Sequence, residues 1–486
     1  MVSIFSKRFN SRIKTYLIIY LAIILCLPYF GQMLLLTPIK SISLINPNFN
    51  QRNNLKNLVF EKENSLFLQN NTTRVLEAKW LTYIGINKRN EIGNNFILSS
   101  NGNLLVVCTN FSKAINTGSV DITLFEINAE SGEIIWNKKW DRPEFDFVSG
   151  LVERKDGKIF LSGTYRNTFQ NGSRSIDQEN YDIYTLGFNP EDKRWFNLWS
   201  WGEQNDDEYC NDMIVGDDDS LYLIGTCETV NNSLDILIAK VNSSKSEAIW
   251  IQKYGSNYIE EGSALILGED GYLYALGTKY YSSTENKFYI MKLDPDSGTS
   301  LWNQSFGSYT NNQAYSIIWG SDNSLYITGS FKDSQTLDKN ILVMKINPDS
   351  GKIIWETFWG TSENDFGSDL GILRENLFVA GTQNADDIVI LEITMSDGII
   401  RSLSLWGSSL EEELSKLIPD NKSGFYLLGT VRTIEEKRAD FDVFIGYFIY
   451  STSLNRQVNE SLRIGFSFGI VLFCFLIIII TNRNKI

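Results

Sequence analysis

Carboxylates recur at intervals along this chain of 486 residues, in the runs EQNDDE (203–208), SNYIEE (256–261), TSENDF (361–366) and SSLEEE (408–413). Gathered at one place, Asp206, Asp207, Glu208, Glu260, Glu261, Glu363, Asp365, Glu411, Glu412 and Glu413 could hold a cation or attract a basic partner. The plainer reading is a set of solvated loop charges. Nothing else in the chain points to a reaction. Histidine is absent, which removes the commonest general base and the commonest metal ligand together. No nucleophile elbow, phosphate-cradling glycine loop or Cys-x-x-Cys occurs. Asp294-x-Asp296-x-Gly298 begins like a calcium loop but lacks the downstream Glu, and turn chemistry accounts for it. No catalytic, cofactor-binding or metal-ligating residue is assigned, and no cofactor is expected.

Five cysteines are present. Cys26 and Cys474 lie in apolar runs, and Cys108 reads as a small buried residue. Cys210 and Cys227 flank a predicted hairpin and are candidates for a disulfide in an oxidising compartment. Nine Asn-x-Ser/Thr sequons are candidate glycosylation sites: Asn70, Asn71, Asn110, Asn171, Asn231, Asn242, Asn303, Asn421 and Asn459. A net charge of −14 argues against nucleic acid as a partner.

Two apolar segments frame the chain. Residues 15–36 follow Lys7, Arg8, Arg12 and Lys14 and are long enough to span a bilayer. A cleaved secretory signal is the rival reading. The length of the run and the lack of a small-x-small site after it favour an uncleaved anchor. Residues 464–480 are uncharged and form a second expected transmembrane helix. Its Gly465-x-x-x-Gly469 pattern allows close helix approach and would let two copies pair as a homodimer through this segment. Both termini are then expected in the cytoplasm, as a basic tail (1–14) and a short tail (481–486), with the protein an integral component of the cell membrane. Residues 37–74 read as a polar spacer and 452–463 as a linker, both external like the body between them.

That body, 75–451, is a repeat. A Gly-Thr column recurs at Cys108-Thr109, Gly163-Thr164, Gly225-Thr226, Gly277-Thr278, Gly329-Ser330, Gly381-Thr382 and Gly429-Thr430. An apolar, aromatic run precedes it, and a turn such as Lys-Asp-Gly (155–157) opens that run, as in a hairpin. A third strand follows, led by Asp121, Asp182, Asp235, Asn340, Asp387 or Asp442. A fourth runs from Trp to Gly, as in Trp250–Gly255, Trp302–Gly307 and Trp355–Gly360. Four short strands per ~50 residues make one propeller blade, which must stack on others to bury its faces. Seven Gly-Thr columns mean seven blades. The last repeat lacks a fourth strand, while Trp80–Gly85 precedes the first with the matching spacing. The N-terminal strand should therefore complete blade seven and close the ring. The expected fold is all-β: a seven-bladed β-propeller of four-stranded antiparallel blades, flanked by two transmembrane helices.

This cadence resembles the SBBP-type seven-bladed propeller repeat of archaeal and bacterial cell-surface proteins over about residues 75–451. Its fourth-strand phrase (DPDSGTSLW, NPDSGKIIW) is also similar to the repeat of quinone-dependent dehydrogenase propellers. Asp141, in place of the terminal Gly, and Ser402, in place of Trp, depart from the pattern. Loops between second and third strands, from five residues to about seventeen (165–181), share a face with the acidic runs, and such variation marks recognition. The expected function is an extracellular binding or adhesion scaffold for a protein or glycan partner, not an enzyme. The alternatives are a structural component of the cell envelope or a quinoprotein-type enzyme.

Overall fold

Runs of β-branched and aromatic residues broken by polar turns form twenty-eight strands, hydrogen-bonded into seven four-stranded sheets. The computed structural model describes residues 74–452 except 86–89, 112–119, 141–145, 168–179, 204–205, 230–232, 308–309, 334–337, 385–386, 409, 421 and 436–437. All of it lies in the compact unit Asn57–Ile486. No helix occurs among the described residues, and the apolar segments 15–36 and 464–480, like Asp141, lie outside them.

Every blade is a simple antiparallel meander. The innermost strands are Asn90–Leu98, Asp146–Glu153, Glu208–Val215, Ile259–Leu267, Thr310–Trp319, Asp365–Leu373 and Glu411–Pro419. Each touches the next in that order, and the last touches the first, which closes the ring. Antiparallel order gives the ring two different ends. Turns joining strands one to two and three to four lie at one, the turn end. Connections from two to three, and from each blade to the next, lie at the other, the loop end.

Burial follows position in the blade. Middle strands such as Val120–Ile127 are buried throughout, because both faces meet a neighbouring blade. Outer strands such as Ile353–Trp359 alternate between half-buried and exposed, as an edge should. Blade seven is composite. Arg74–Ile84 pairs with Arg438–Thr452 from Arg74↔Thr452 to Ile84↔Val443. The sequence expectation for closure is met, and blade seven has the same four strands as the others.

The Gly-Thr column has a physical cause. Each innermost strand carries a β-bulge at the same place, leaving Asn94, Ser149, Asn211, Ser263, Tyr315, Ser368 and Ser415 unpaired. The bulge drives a carbonyl toward the second strand. A Cβ on Gly225 would overlap the Tyr209 carbonyl, so only glycine fits there. The following Thr reaches the next blade: Thr164, Thr226, Thr278 and Thr382 Oγ1 accept the backbone N–H of Cys210, Gly262, Ala314 and Leu414 at 2.9–3.3 Å.

A second staple works at the turn end. In blade four, Tyr274, Lys292 and Trp302 all donate to the carbonyl of Pro348 in the next blade's turn, at 3.3, 3.5 and 3.2 Å. Tyr326, Lys345 and Trp355 converge in the same way on the Met395 carbonyl. Asp294 accepts the N–H groups of Asp296 and Ser297 at 3.0 and 2.9 Å, the hydrogen bonding of a turn.

Candidate functional site

The loop end carries the predicted acidic residues, but the structure divides them. Glu208, Glu260, Asp365 and Glu412 are at most 1 % exposed. Each is the first or second residue of its innermost strand and points inward to cap the connection that leads into it. Glu208 accepts the Glu203 N–H at 3.2 Å, Glu260 the Ser256 N–H at 3.3 Å, Asp365 the Thr361 N–H at 2.5 Å and Glu412 the Ser408 N–H at 3.1 Å. Burial pushes Glu208 up to about 8 and Asp365 up to about 6, against the opposing pull of those N–H groups. These four are loop caps, unavailable to a partner.

The other six are spread along the rim. Asp207 accepts the Tyr181 N–H at 3.0 Å and the Tyr209 hydroxyl at 3.2 Å, with Asp206 half-buried beside it. Glu261 takes the Tyr280 hydroxyl at 2.8 Å. Glu411 pairs with Arg432 at 2.7 Å, while Glu363 and Glu413 face solvent. Strand alternation separates them: in Glu411-Glu412-Glu413 only the middle residue is buried.

Aromatic residues share this end. Tyr181 and Tyr209 stack with ring centroids 5.6 Å apart, across the junction of blades two and three. Tyr258 and Tyr281 lie 4.8 Å apart, with Lys279 over both rings at 5.3 and 5.7 Å. Lys279 also pairs with Glu260 at 2.8 Å. No spacing rule in the sequence singles out these pairs, since the partners come from different blades or strands.

Near the ring axis lies a polar cluster that the sequence reading did not anticipate. Asp212, Asp369, Lys416 and Asn95 each follow a bulge on an innermost strand. Asp212 accepts the N–H of Met213 and, from the next blade, Leu265, at 2.8 and 3.1 Å. Asp369 accepts the Ser316 hydroxyl at 2.7 Å and the Leu417 N–H at 2.9 Å. Burial raises both carboxyls and the Lys416 charge lowers them. All four carboxylate oxygens are engaged, so the cluster fastens blades together. Among the described residues no group of three or more Cys, Asp or Glu is placed to hold a metal ion.

Two expectations need correction. Cys210 and Cys227 form no disulfide: Cys210 pairs in register with Gly225, and Cys227 with Glu208. Their sulfurs lie against different partners, the Ser162 hydroxyl and the Asp235 carbonyl. Asn110 is not an accessible sequon. It is 1 % exposed, and its Nδ2 donates to Thr123 Oγ1 at 2.8 Å. Asn303 is exposed on an outer strand, whereas Asn242 is half-buried in a turn whose N–H groups it caps. Asn70, Asn71, Asn171, Asn231, Asn421 and Asn459 lie outside the described residues.

No protein-family model matches the sequence, and no curated protein does. What stands of the family resemblance is the seven-bladed architecture. Solved structures similar in fold include the quinohemoprotein alcohol dehydrogenase of Comamonas testosteroni, at 10 % identity and TM-score 0.46, covering 78 % of each chain. A quinohemoprotein alcohol dehydrogenase of Pseudomonas putida HK5 is 9 % identical with TM-score 0.43, covering 77 % of this chain and 76 % of the other. The acylaminoacyl peptidase of Pyrococcus horikoshii is 9 % identical with TM-score 0.42, covering 76 % and 54 %. The expectation that the chain is not an enzyme meets a contrary finding, since these similar structures are enzymes with propeller domains. At such identities the likeness is one of fold, and it brings no substrate with it.

Proposed function

We propose that this chain is a membrane-anchored propeller outside the cell that binds a protein or glycan partner at its loop end. The observation that carries the reading is the segregation of exposed side chains. Tyr83, Tyr209, Tyr258, Phe358 and Phe441, each 37–42 % exposed, all lie at or near the loop end. They sit on the same end as the solvent-facing Glu363 and Glu413. Aromatic faces beside carboxylates suit sugar rings with their hydroxyls, and aromatic anchors are enriched in protein interfaces. At the turn end, the Tyr, Lys and Trp side chains of blades four and five are engaged in the staples between blades. Tyr272, the exposed aromatic there, has Lys292 over its ring at 4.2 Å. The apolar segments 15–36 and 464–480 support the anchoring.

The test is a binding screen of the full-length chain in detergent against immobilised glycans and surface proteins. A saturable partner should lose at least about tenfold in affinity with Tyr209→Ala plus Tyr258→Ala, about 1.4 kcal/mol or more. A partner indifferent to both changes, yet lost on altering turn-end residues, would overturn the assignment of the face.

A further inference from the structure

The place where the chain leaves blade seven sets which end of the ring faces a membrane. Thr452 is the last residue of the third strand of that blade, and Arg74 the first residue of its fourth. The two pair directly. They belong to the turn end: Ile449 is opposite Gly424, which closes the turn between the first and second strands, and the Tyr450 N–H donates to the Ser423 carbonyl at 3.1 Å. The chain then continues past that turn.

Covalent reach does the rest. Eleven residues, 453–463, separate Thr452 from the apolar segment 464–480. Fully extended they span at most about 40 Å. The strand Arg438–Thr452, with 15 residues at ~3.3 Å each, is about 50 Å long. Running back along that strand to Phe441 at the loop end, about 36 Å, would take nearly the whole linker in its fully extended form. A segment embedded at 464 therefore keeps the turn end of blade seven within about 40 Å of the bilayer, and any path shorter than full extension leaves that end the nearer one.

The surface agrees with this polarity. On the outer strands of blades one, three, four and five, an exposed aliphatic stands directly before the Trp position, near the turn end: Ile135, Ile249, Leu301 and Ile354. The matching positions in blades six and seven, nearest the exit, are the exposed cations Arg401 and Lys79. Apolar and cationic side chains suit a lipid interface.

We infer that the propeller is held with the turn end of blade seven against the lipid surface and its loop end presented outward. This rests on the anchoring put forward above. The test uses the full-length chain in vesicles that carry an acceptor dye on the lipid. A donor is placed at Asp349→Cys in a turn, or at Glu363→Cys in the loop that follows the same outer strand; both side chains are exposed. Cys26 and Cys474 are replaced by Ser. Stronger energy transfer is expected from position 349, since the strand between the sites separates them by about 25 Å. Transfer from position 363 equal to or above that from 349 overturns the orientation alone. Failure of the chain to float with the vesicles overturns the anchoring and the orientation with it.

Discussion

Lys416 donates from Nζ to Oδ1 of Asn95 at 2.6 Å, joining the innermost strand of the last blade to that of the first across 321 positions of sequence. It is also the cation that favours ionised Asp212 and Asp369 in the centre of the ring. One side chain thus serves both closure and charge balance.

Replacing Lys416 by Met should lower stability by about 2–3 kcal/mol at pH 7. The loss has a pH signature. Both carboxyls already have raised folded-state pKa values, so they bind protons more readily in the folded protein than in the unfolded chain. Without Lys416 they rise further, and the deficit against wild type should shrink as pH falls toward the ordinary carboxyl range. Thermal melts of both proteins between pH 5 and pH 8 check this. A pH-independent deficit would mean that only the Asn95 contact mattered.

Glu208 offers the opposite substitution. Its carboxyl titrates near 8 in the folded protein because it is buried, and near the ordinary value when unfolded. The group therefore reduces stability as pH rises through that window, and its burden is fully present only above pH 8. Glu208→Gln keeps an acceptor for the Glu203 N–H and carries no charge. The expected result is a Tm about 2–4 °C above wild type at pH 8.5, with the two melting together near pH 5.

The staple at the turn end should weigh more than any one polar contact. Trp302 donates to the Pro348 carbonyl, and its ring would lie 2.9 Å from a Cβ on Gly351, whose φ of +66° already favours glycine. Trp302→Ala removes the donor and leaves a cavity at the junction of blades four and five. A loss of about 3 kcal/mol is expected, with Trp302→Phe keeping more of the packing and losing about half as much. Urea unfolding of the two variants gives the comparison.

The blade count and the composite seventh blade were legible because each strand class has its own periodic mark. The Trp-to-Gly interval of Trp80–Gly85 located the seam directly. The bulges were not legible. The seven bulged residues share only polarity, and a bulge is a matter of register that residue type does not record. For the same reason the axial cluster escaped notice, and so did the inward turn of Glu208, Glu260, Asp365 and Glu412. Ser402 is an intermediate case. Its departure from Trp was visible, but the cause lies 48 residues on: the Ser402 hydroxyl meets the Tyr450 hydroxyl, and both reach Glu392. Blade seven has no turn between its third and fourth strands to receive a Trp, and Tyr450 fills the space.

That account makes Ser402→Trp a discriminating variant. Restoring the repeat residue should destabilise the protein by about 1–3 kcal/mol, because the indole would compete with a buried Tyr450 ring packed against Phe378 at 5.1 Å. A gain in stability would mean that the repeat pattern, and not the missing turn, governs this site.

The seam itself can be probed through Trp80. Its Nε1 donates to the Ala129 carbonyl at 3.0 Å, and its ring packs 6.2 Å from Tyr426, so the N-terminal strand is fastened both to blade one and to the rest of blade seven. Because Arg74–Ile84 is held by its ladder to a single strand, losing this anchor should let it detach before the ring unfolds as a whole. Trp80→Ala should therefore expose those amides between Val443 and Ile449 that bond to the N-terminal strand, alternate ones along the segment, to hydrogen exchange at least about tenfold faster than in wild type. The innermost strand Ile259–Leu267, on the far side of the ring, should keep its protection. Equal acceleration in both segments would show that the N-terminal strand is not a separate latch and that the seven blades open together.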